Sequence, residues 1–91
     1  MTNVSSYEKA LELNPSSSAA WYGKAIGLNQ TNKSDEALAS FNKAIELNPS
    51  NAAAWYGKGR VLKSLNSTLE SEKAFSRAEE LGYNSTKSEA L

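Results

Sequence analysis

Few side chains of this 91-residue sequence could do chemistry, because it contains no histidine and no cysteine. Imidazole bases, thiolate nucleophiles and Cys/His zinc sites are thereby excluded. Asp35 is the single aspartate, and it lies at a predicted helix start, where a favourable interaction with the helix dipole accounts for it. Glu79 and Glu80 are adjacent on a predicted helix and point in different directions, which does not suit an acid–base pair. We predict no enzymatic activity, no metal site and no cofactor.

Composition narrows the classes of partner further. Ten basic and ten acidic residues give a formal net charge of zero, and the basic residues are scattered, which argues against a nucleic-acid partner. No apolar stretch reaches the roughly 18–20 residues that span a bilayer. The N-terminal sequence "MTNVSSYEKA" lacks the basic region and apolar run of a secretory signal. We therefore expect one small domain with neither a nucleic-acid partner nor a membrane.

A segment that occurs twice reveals the organisation of the chain. "AAWYGK" occupies residues 19–24 and again residues 53–58, an offset of 34 residues. At the same offset Phe41 matches Phe75, and "YEKALELNPSS", which contains Tyr7, matches "FNKAIELNPSN". An internal period of this length is typical of repeat proteins. The chain is predicted to hold two full units, preceded by the second half of a third.

Each unit has the pattern of two helices. In the first half, Trp21, Ala25 and Leu28 recur at i, i+4 and i+7, which is one face of a helix. Polar, turn-like segments separate the halves, and Pro49 cannot continue the second helix. No period-2 alternation occurs, so strands are not expected. The predicted helices cover residues 3–13, 18–30, 35–47, 52–65 and 69–81, with Ser34 and Thr68 as N-caps and a short sixth turn from Thr86.

The period and the residues at set places resemble the tetratricopeptide repeat (TPR) family. The matching residues are Trp21, Ala25, Leu28, Ala37, Phe41, Ala44 and Pro49, then Trp55, Gly59, Leu62, Phe75 and Ala78. Ser71 and Tyr83 depart from the pattern and weaken the second repeat. The resemblance implies an all-α fold, in which antiparallel helix-turn-helix repeats stack into a short right-handed superhelical solenoid. It divides this single domain, residues 1–91, into the second helix of a partial repeat (3–15), two repeats (18–51 and 52–85) and the start of a further helix or tail (86–91).

The resemblance also implies a cytoplasmic, non-catalytic scaffold with a protein or peptide partner, which binds a segment of that partner in a concave groove lined by the first helices. The groove positions by resemblance are Ala19, Tyr22, Ile26, Asn29, Ala53, Tyr56, Arg60 and Lys63. Tyr56, Arg60 and Lys63 independently share one helix face through their spacing. We expect the two basic residues to attract an acidic or carboxylate group. The carboxylate clamp of some family members is not expected, because its places carry Tyr22, Ile26 and Gly57.

The small and aromatic residues have predicted packing roles. Trp21 and Trp55 are expected to be buried between helices, so that truncation to alanine costs about 3–5 kcal/mol. Gly59 lies on the packing face, where a small residue lets helices approach closely. Gly23 and Gly57 lie beside that face, so we expect them at the groove edge, with room for a ligand backbone. Lys24 and Lys58 stand where the family favours leucine, a variation that it tolerates.

An alternative function is a structural or self-associating module. The N-terminal helix lacks the partner helix of a complete repeat, and the C-terminal helix is not followed by a dedicated polar capping helix. Repeat arrays generally need such caps. The exposed end helices would then drive weak homo-oligomerisation, and the groove would be unused.

Overall fold

A computed structural model describes residues 4–83, which form five α-helices and no strand. The helices are α1 (Val4–Leu13), α2 (Ser18–Gln30), α3 (Ser34–Leu47), α4 (Ala52–Ser64) and α5 (Thr68–Glu80). Each of the five predicted helices is confirmed, with both ends within one residue of the prediction. The sixth turn predicted from Thr86 lies outside the described residues.

The helix starts are capped at places that the sequence interpretation did not choose. Ser17 and Asn51, which precede α2 and α4, accept hydrogen bonds from the backbone N–H of the residue three positions on, at 3.2 and 3.1 Å. Such caps satisfy donors that a helix start leaves free. The predicted caps Ser34 and Thr68 are wrong, since both are the first helical residues. The N-cap positions of α3 and α5 show no side-chain cap bond, and acidic residues in the first turn complement the helix dipole there.

Short turns join the helices of each pair. Asn32 and Asn66 adopt left-handed backbone conformations, with φ of 63° and 64°. In both turns the N–H of the following residue bonds back to the carbonyl five positions earlier, Leu28 or Leu62, at 2.9 Å. This is the hydrogen-bond pattern of a Schellman motif, and asparagine tolerates the left-handed conformation better than most residues. The turn therefore fixes where the second helix of each pair begins.

The helices pack as pairs stacked side by side. α2 packs against α3 and α4 against α5, while α1 packs on α2 and α3 on α4. We call α2 and α4 the first helices, and α1, α3 and α5 the second helices. The two first helices touch each other, whereas within residues 4–83 no contact joins α1 to α3 or α3 to α5. The stack must therefore curve toward the first helices, and the expected all-α repeat solenoid is confirmed.

Small residues and one phenylalanine make the centre of the core. Ala25, Ala37, Ala44 and Ala54 are fully buried together with Phe41. Alanines at these places allow neighbouring helix backbones to approach closely, so that one large ring can fill the remaining space. The core thus depends on a few large side chains seated among small ones.

Ser71 is not the weak point that its departure from the pattern indicated. Its side chain is almost completely buried in α5, and its hydroxyl donates a 2.8 Å hydrogen bond to the carbonyl of Gly59 in α4. Because a buried hydroxyl with a partner avoids the desolvation penalty of an unpaired one, serine is accommodated at this place. The bond also ties the two helices of the pair together.

The expectation that Gly23 and Gly57 leave room for a ligand is wrong. A Cβ on Gly57 would lie 2.5 Å from ring atoms of Phe41, and a Cβ on Gly23 would overlap the ring of Tyr7. In each case the aromatic ring of the preceding second helix fills the space above the glycine. Gly59 meets the ring of Phe75 in the same way, at 2.7 Å, as its packing role predicts. The space beside each of these glycines is therefore occupied by an aromatic ring.

Candidate functional site

The concave side of the stack carries the residues predicted to bind a partner. Tyr22, Ile26 and Asn29 lie on α2 and are half-buried, and the first two pack against the core. Tyr56 on α4 is also half-buried, whereas Arg60 and Lys63 are exposed. Because α2 and α4 touch, these two sets of side chains belong to neighbouring helices of one surface. The predicted assignment of these residues to partner binding stays a prediction.

Both groove tyrosines are supported from behind by a phenylalanine of the second helix in the same pair. The ring of Tyr22 meets Phe41 edge-on, with centroids 6.0 Å apart and an interplanar angle of 65°. Tyr56 meets Phe75 at 5.1 Å. Such aromatic pairs contribute about 0.5–1.5 kcal/mol beyond their buried area. The two tyrosines therefore have a packing role, which also holds their rings in place on the groove side.

Tyr83 joins this surface, although the sequence interpretation treated it only as a departure from the expected proline. Its ring stacks on Tyr56 with centroids 4.6 Å apart and an interplanar angle of 32°. Burial raises the pKa of Tyr22, and the nearby charge of ionised Tyr83 raises that pKa further. Tyr83 thus contacts Tyr56 directly and lies close enough to Tyr22 to affect its pKa. We call Tyr22, Tyr56 and Tyr83 the tyrosine cluster.

The backbone explains how Tyr83 reaches this position. Gly82 adopts φ of 103°, a conformation that side chains of L-residues rarely allow, and the N–H of Tyr83 bonds to the carbonyl of Ala78 at 2.9 Å. The corresponding place after α3 carries Asn48, with φ of −146° and ψ of 84°, followed by Pro49. An aromatic residue directly after a glycine, at the place of the expected proline, is the sequence signal that could have pointed to it.

The tryptophans lie outside the groove and differ from expectation. Both are half-buried and pack against the core, so the expected burial is only partial. Their indole N–H groups donate to the carbonyls of Pro15 and Pro49, each at 2.9 Å. Trp21 and Trp55 therefore stabilise the turn that precedes each first helix.

Lys24 and Lys58 have a role beyond toleration. Each ammonium nitrogen lies 5.3 Å from the ring centroid of the tryptophan three residues earlier, which is within the range of a cation–π contact. Lys24 also lies 3.8 Å from a carboxylate oxygen of Glu8 in α1. Both lysines therefore take part in contacts within the protein.

The concave side presents aromatic, amide and cationic side chains. Residues 4–83 contain no group of His, Cys, Asp or Glu side chains that could hold a metal ion. No buried side-chain nitrogen or oxygen in this part of the chain lacks a hydrogen-bond partner. No helix among the described residues is long and apolar enough to cross a membrane. What the surface offers is aromatic rings for stacking, a half-buried amide and two exposed cations.

Comparison with solved structures identifies the same architecture elsewhere. The crystal structure of MamA matches with a TM-score of 0.82 and 21% sequence identity, covering 96% of this chain and 48% of the MamA chain. A MamA mutant matches with a TM-score of 0.79 and 23% identity, covering 85% and 56%. This chain thus spans about half the length of the MamA chains. At such identity the likeness shows the fold alone.

Comparison with sequences gives the family. A search of curated proteins finds no match. A family model described as TPR repeat matches residues 27–66, and two described as tetratricopeptide repeat match residues 6–39 and 52–81. Together these matches run from residue 6 to residue 81, and the chain belongs to the tetratricopeptide repeat family.

Proposed function

We propose that this TPR scaffold binds a segment of a partner protein on its concave side, without catalysing a reaction. The observation that carries the proposal is the tyrosine cluster beside Arg60 and Lys63. Rings that are already held by packing lose little conformational freedom when a ligand binds, which favours affinity. Tyrosine and arginine are also the residue types that contribute most often to the energetic centres of interfaces. A cytoplasmic location remains a prediction.

Tyr83 sets a condition on this binding. Its ring covers one side of Tyr56, at a centroid distance of 4.6 Å. A partner side chain that stacks on that side of Tyr56 must displace Tyr83, whereas one that packs beside the cluster can use all three rings. The left-handed conformation of Gly82 holds Tyr83 in this place. The proposal therefore places the partner along the cluster and next to Arg60.

A second candidate, self-association, is favoured by one end of the stack. Leu13 in α1 is 86% exposed, whereas Leu47, at the matching place of α3, is half-buried. Ala10 is exposed, whereas its counterpart Ala44 is fully buried in the core. A helix from a second copy could cover this face of α1 as α2 covers α3. Light scattering at high protein concentration tests it, and a monomeric mass there would count against it.

The test of groove binding is selection from a phage library of random dodecapeptides. Peptides selected on the wild-type protein should lose binding to the Tyr22→Ala/Tyr56→Ala/Arg60→Ala variant while its far-UV circular dichroism remains helical. A control with three exposed side chains removed elsewhere, Leu13→Ala/Leu69→Ala/Lys73→Ala, should bind as the wild type does. Unchanged binding to the helical groove variant would show that the groove assignment is wrong.

The tyrosine substitutions also remove packing, so a milder variant is needed. Arg60→Ala/Lys63→Ala changes only exposed residues, and substitutions of this kind usually leave stability within about 0.5 kcal/mol. Reduced binding of the selected peptides by this variant, at unchanged unfolding midpoint, would locate the binding surface on α4 without the complication of unfolding.

A further inference from the structure

Charge is divided between the two kinds of helix. Within residues 4–83 every acidic side chain lies on a second helix: Glu8, Glu12, Asp35, Glu36, Glu46, Glu70, Glu72, Glu79 and Glu80. The first helices carry no acid in their described ranges and four bases: Lys24, Lys58, Arg60 and Lys63. The second helices also carry four bases, which their nine acids outnumber: Lys9, Lys43, Lys73 and Arg77. The two kinds of helix therefore have net charges of opposite sign.

Two of the four bases are already engaged. Lys24 and Lys58 lie over their tryptophans, and Lys24 is also near Glu8. Arg60 and Lys63 take part in none of the ion pairs or side-chain hydrogen bonds found among the described residues. Both are exposed, and their spacing places them on the same face of α4 as Tyr56. The concave side therefore has two cations that no side chain of residues 4–83 neutralises.

We propose that the segment bound on the concave side is acid-rich, carrying aspartate or glutamate side chains that pair with Arg60 and Lys63. The proposal rests on the proposed function, since it names the class of peptide that the same surface takes. Fields of one sign on a surface steer ligands of the opposite sign and disfavour ligands of like charge. The absence of acids from α2 and α4 means that a basic segment would find no partner there, while an acidic one finds two.

The charges act as a distributed surface and not as a clamp on a chain terminus. An internal acidic stretch should therefore bind as well as one that ends in a free carboxylate. Exposed charge pairs are weak individually, so the specificity for acidic segments should fall steeply with salt. The tyrosine cluster supplies the contacts that do not depend on salt.

The experiment is the same dodecapeptide selection, repeated on two charge-reversed variants. Arg60→Glu/Lys63→Glu alters the concave side, and the matched control Lys9→Glu/Lys73→Glu makes the same change in net charge at two exposed lysines of second helices. Wild type and control should enrich peptides rich in Asp and Glu. The groove reversal should lose that enrichment and bind the wild-type peptides about tenfold more weakly at low salt. Amidation of the peptide C-terminus should not weaken binding.

Each other outcome overturns a defined part of this inference. Peptides that depend on Tyr22 and Tyr56 but show no enrichment in acids would leave the groove function standing and refute the acidic partner. A selection that yields no groove-dependent peptide would refute both. If the wild type instead forms dimers at low salt that Arg60→Glu/Lys63→Glu abolishes, the acidic surface belongs to the second helices of another copy, and a separate partner peptide is refuted.

Discussion

Replacing Gly57 by alanine tests the close packing between α3 and α4. A Cβ on Gly57 would lie 2.5 Å from Cε1 and Cζ of Phe41, which is about 1 Å closer than a favourable carbon–carbon contact. The Phe41 side chain is fully buried, and Tyr22 packs against its ring. Because the Phe41 ring is fully buried and packed against Tyr22, we expect the added methyl group to push the two helices apart.

Two opposing effects set the expected change in stability. Overpacking a core costs about 1–3 kcal/mol, and an overlap with a confined ring belongs at the upper end of that range. Alanine is favoured over glycine inside a helix by about 1 kcal/mol. The Gly57→Ala variant should therefore lose about 2 kcal/mol in free energy of unfolding, which lowers the melting temperature of a domain this small by roughly 10 °C. An exposed helical glycine would gain stability from the same substitution.

Urea unfolding followed by far-UV circular dichroism measures the effect, and a double-mutant cycle assigns it. Phe41→Leu removes ring atoms that the new methyl group would meet, so the double variant should be more stable than the sum of the two single losses predicts. Gly23→Ala is the matched control, because its partner Tyr7 is only half-buried on α1 and can move aside. A Gly57→Ala variant that is neutral or more stable, with no coupling to Phe41, would refute the packing described here.

Three further predictions concern the turn, the tyrosine cluster and the tryptophan contacts. Asn66→Ala should cost about 1–2 kcal/mol, because φ of 64° strains alanine, while Asn66→Gly should cost little; urea unfolding of both variants measures this, and equal losses would exclude strain as the cause. The pKa of the Tyr22 hydroxyl is raised in the folded state, so folding favours the neutral form of this group. The free energy of unfolding should therefore be unaffected by ionisation of Tyr22 below pH 10.0 and fall as the pH rises above that value. Tyr22→Phe should therefore flatten the loss of stability measured between pH 9 and 11 (a range that is about one unit either side of the usual tyrosine pKa), and an unchanged pH profile would contradict it. A double-mutant cycle of Trp55→Ala and Lys58→Ala should show a coupling of about 0.5–1 kcal/mol, and additive losses would mean that the cation–π contact contributes nothing.

Much of the fold followed from local patterns. Helix periodicity and Pro49 placed all five helices, because amphipathic faces and helix breakers act over a few neighbouring residues. The caps were less predictable. Ser34 and Thr68 are suitable residue types, but the turns at Asn32 and Asn66 fix the helix starts one residue earlier than a cap at these positions requires. The side-chain caps that the structure shows, Ser17 and Asn51, belong to α2 and α4, for which no cap was predicted.

The candidate site was predicted only in outline. The spacing of Tyr56, Arg60 and Lys63 gave one helix face correctly, because that property belongs to a single helix. Tyr83 was missed, since its contact with Tyr56 depends on how the chain turns at Gly82 and on where α4 lies relative to the end of α5. Gly23 and Gly57 were wrongly predicted to leave room for a ligand, because the aromatic ring that fills the space beside each glycine comes from a different helix.

The sequence by itself determined that this protein is a stack of paired helices, since the 34-residue offset repeats both the helical faces and the residues that pack between them. It also determined the separation of charge between the two kinds of helix. Only the tertiary structure decided that Gly57 receives Phe41, that the tryptophans are fastened to proline carbonyls, and that Tyr83 closes on Tyr56. Periodicity fixes which face of a helix is buried, but the partner of each side chain depends on the separation and rotation of neighbouring helices, which the packing of the whole core sets.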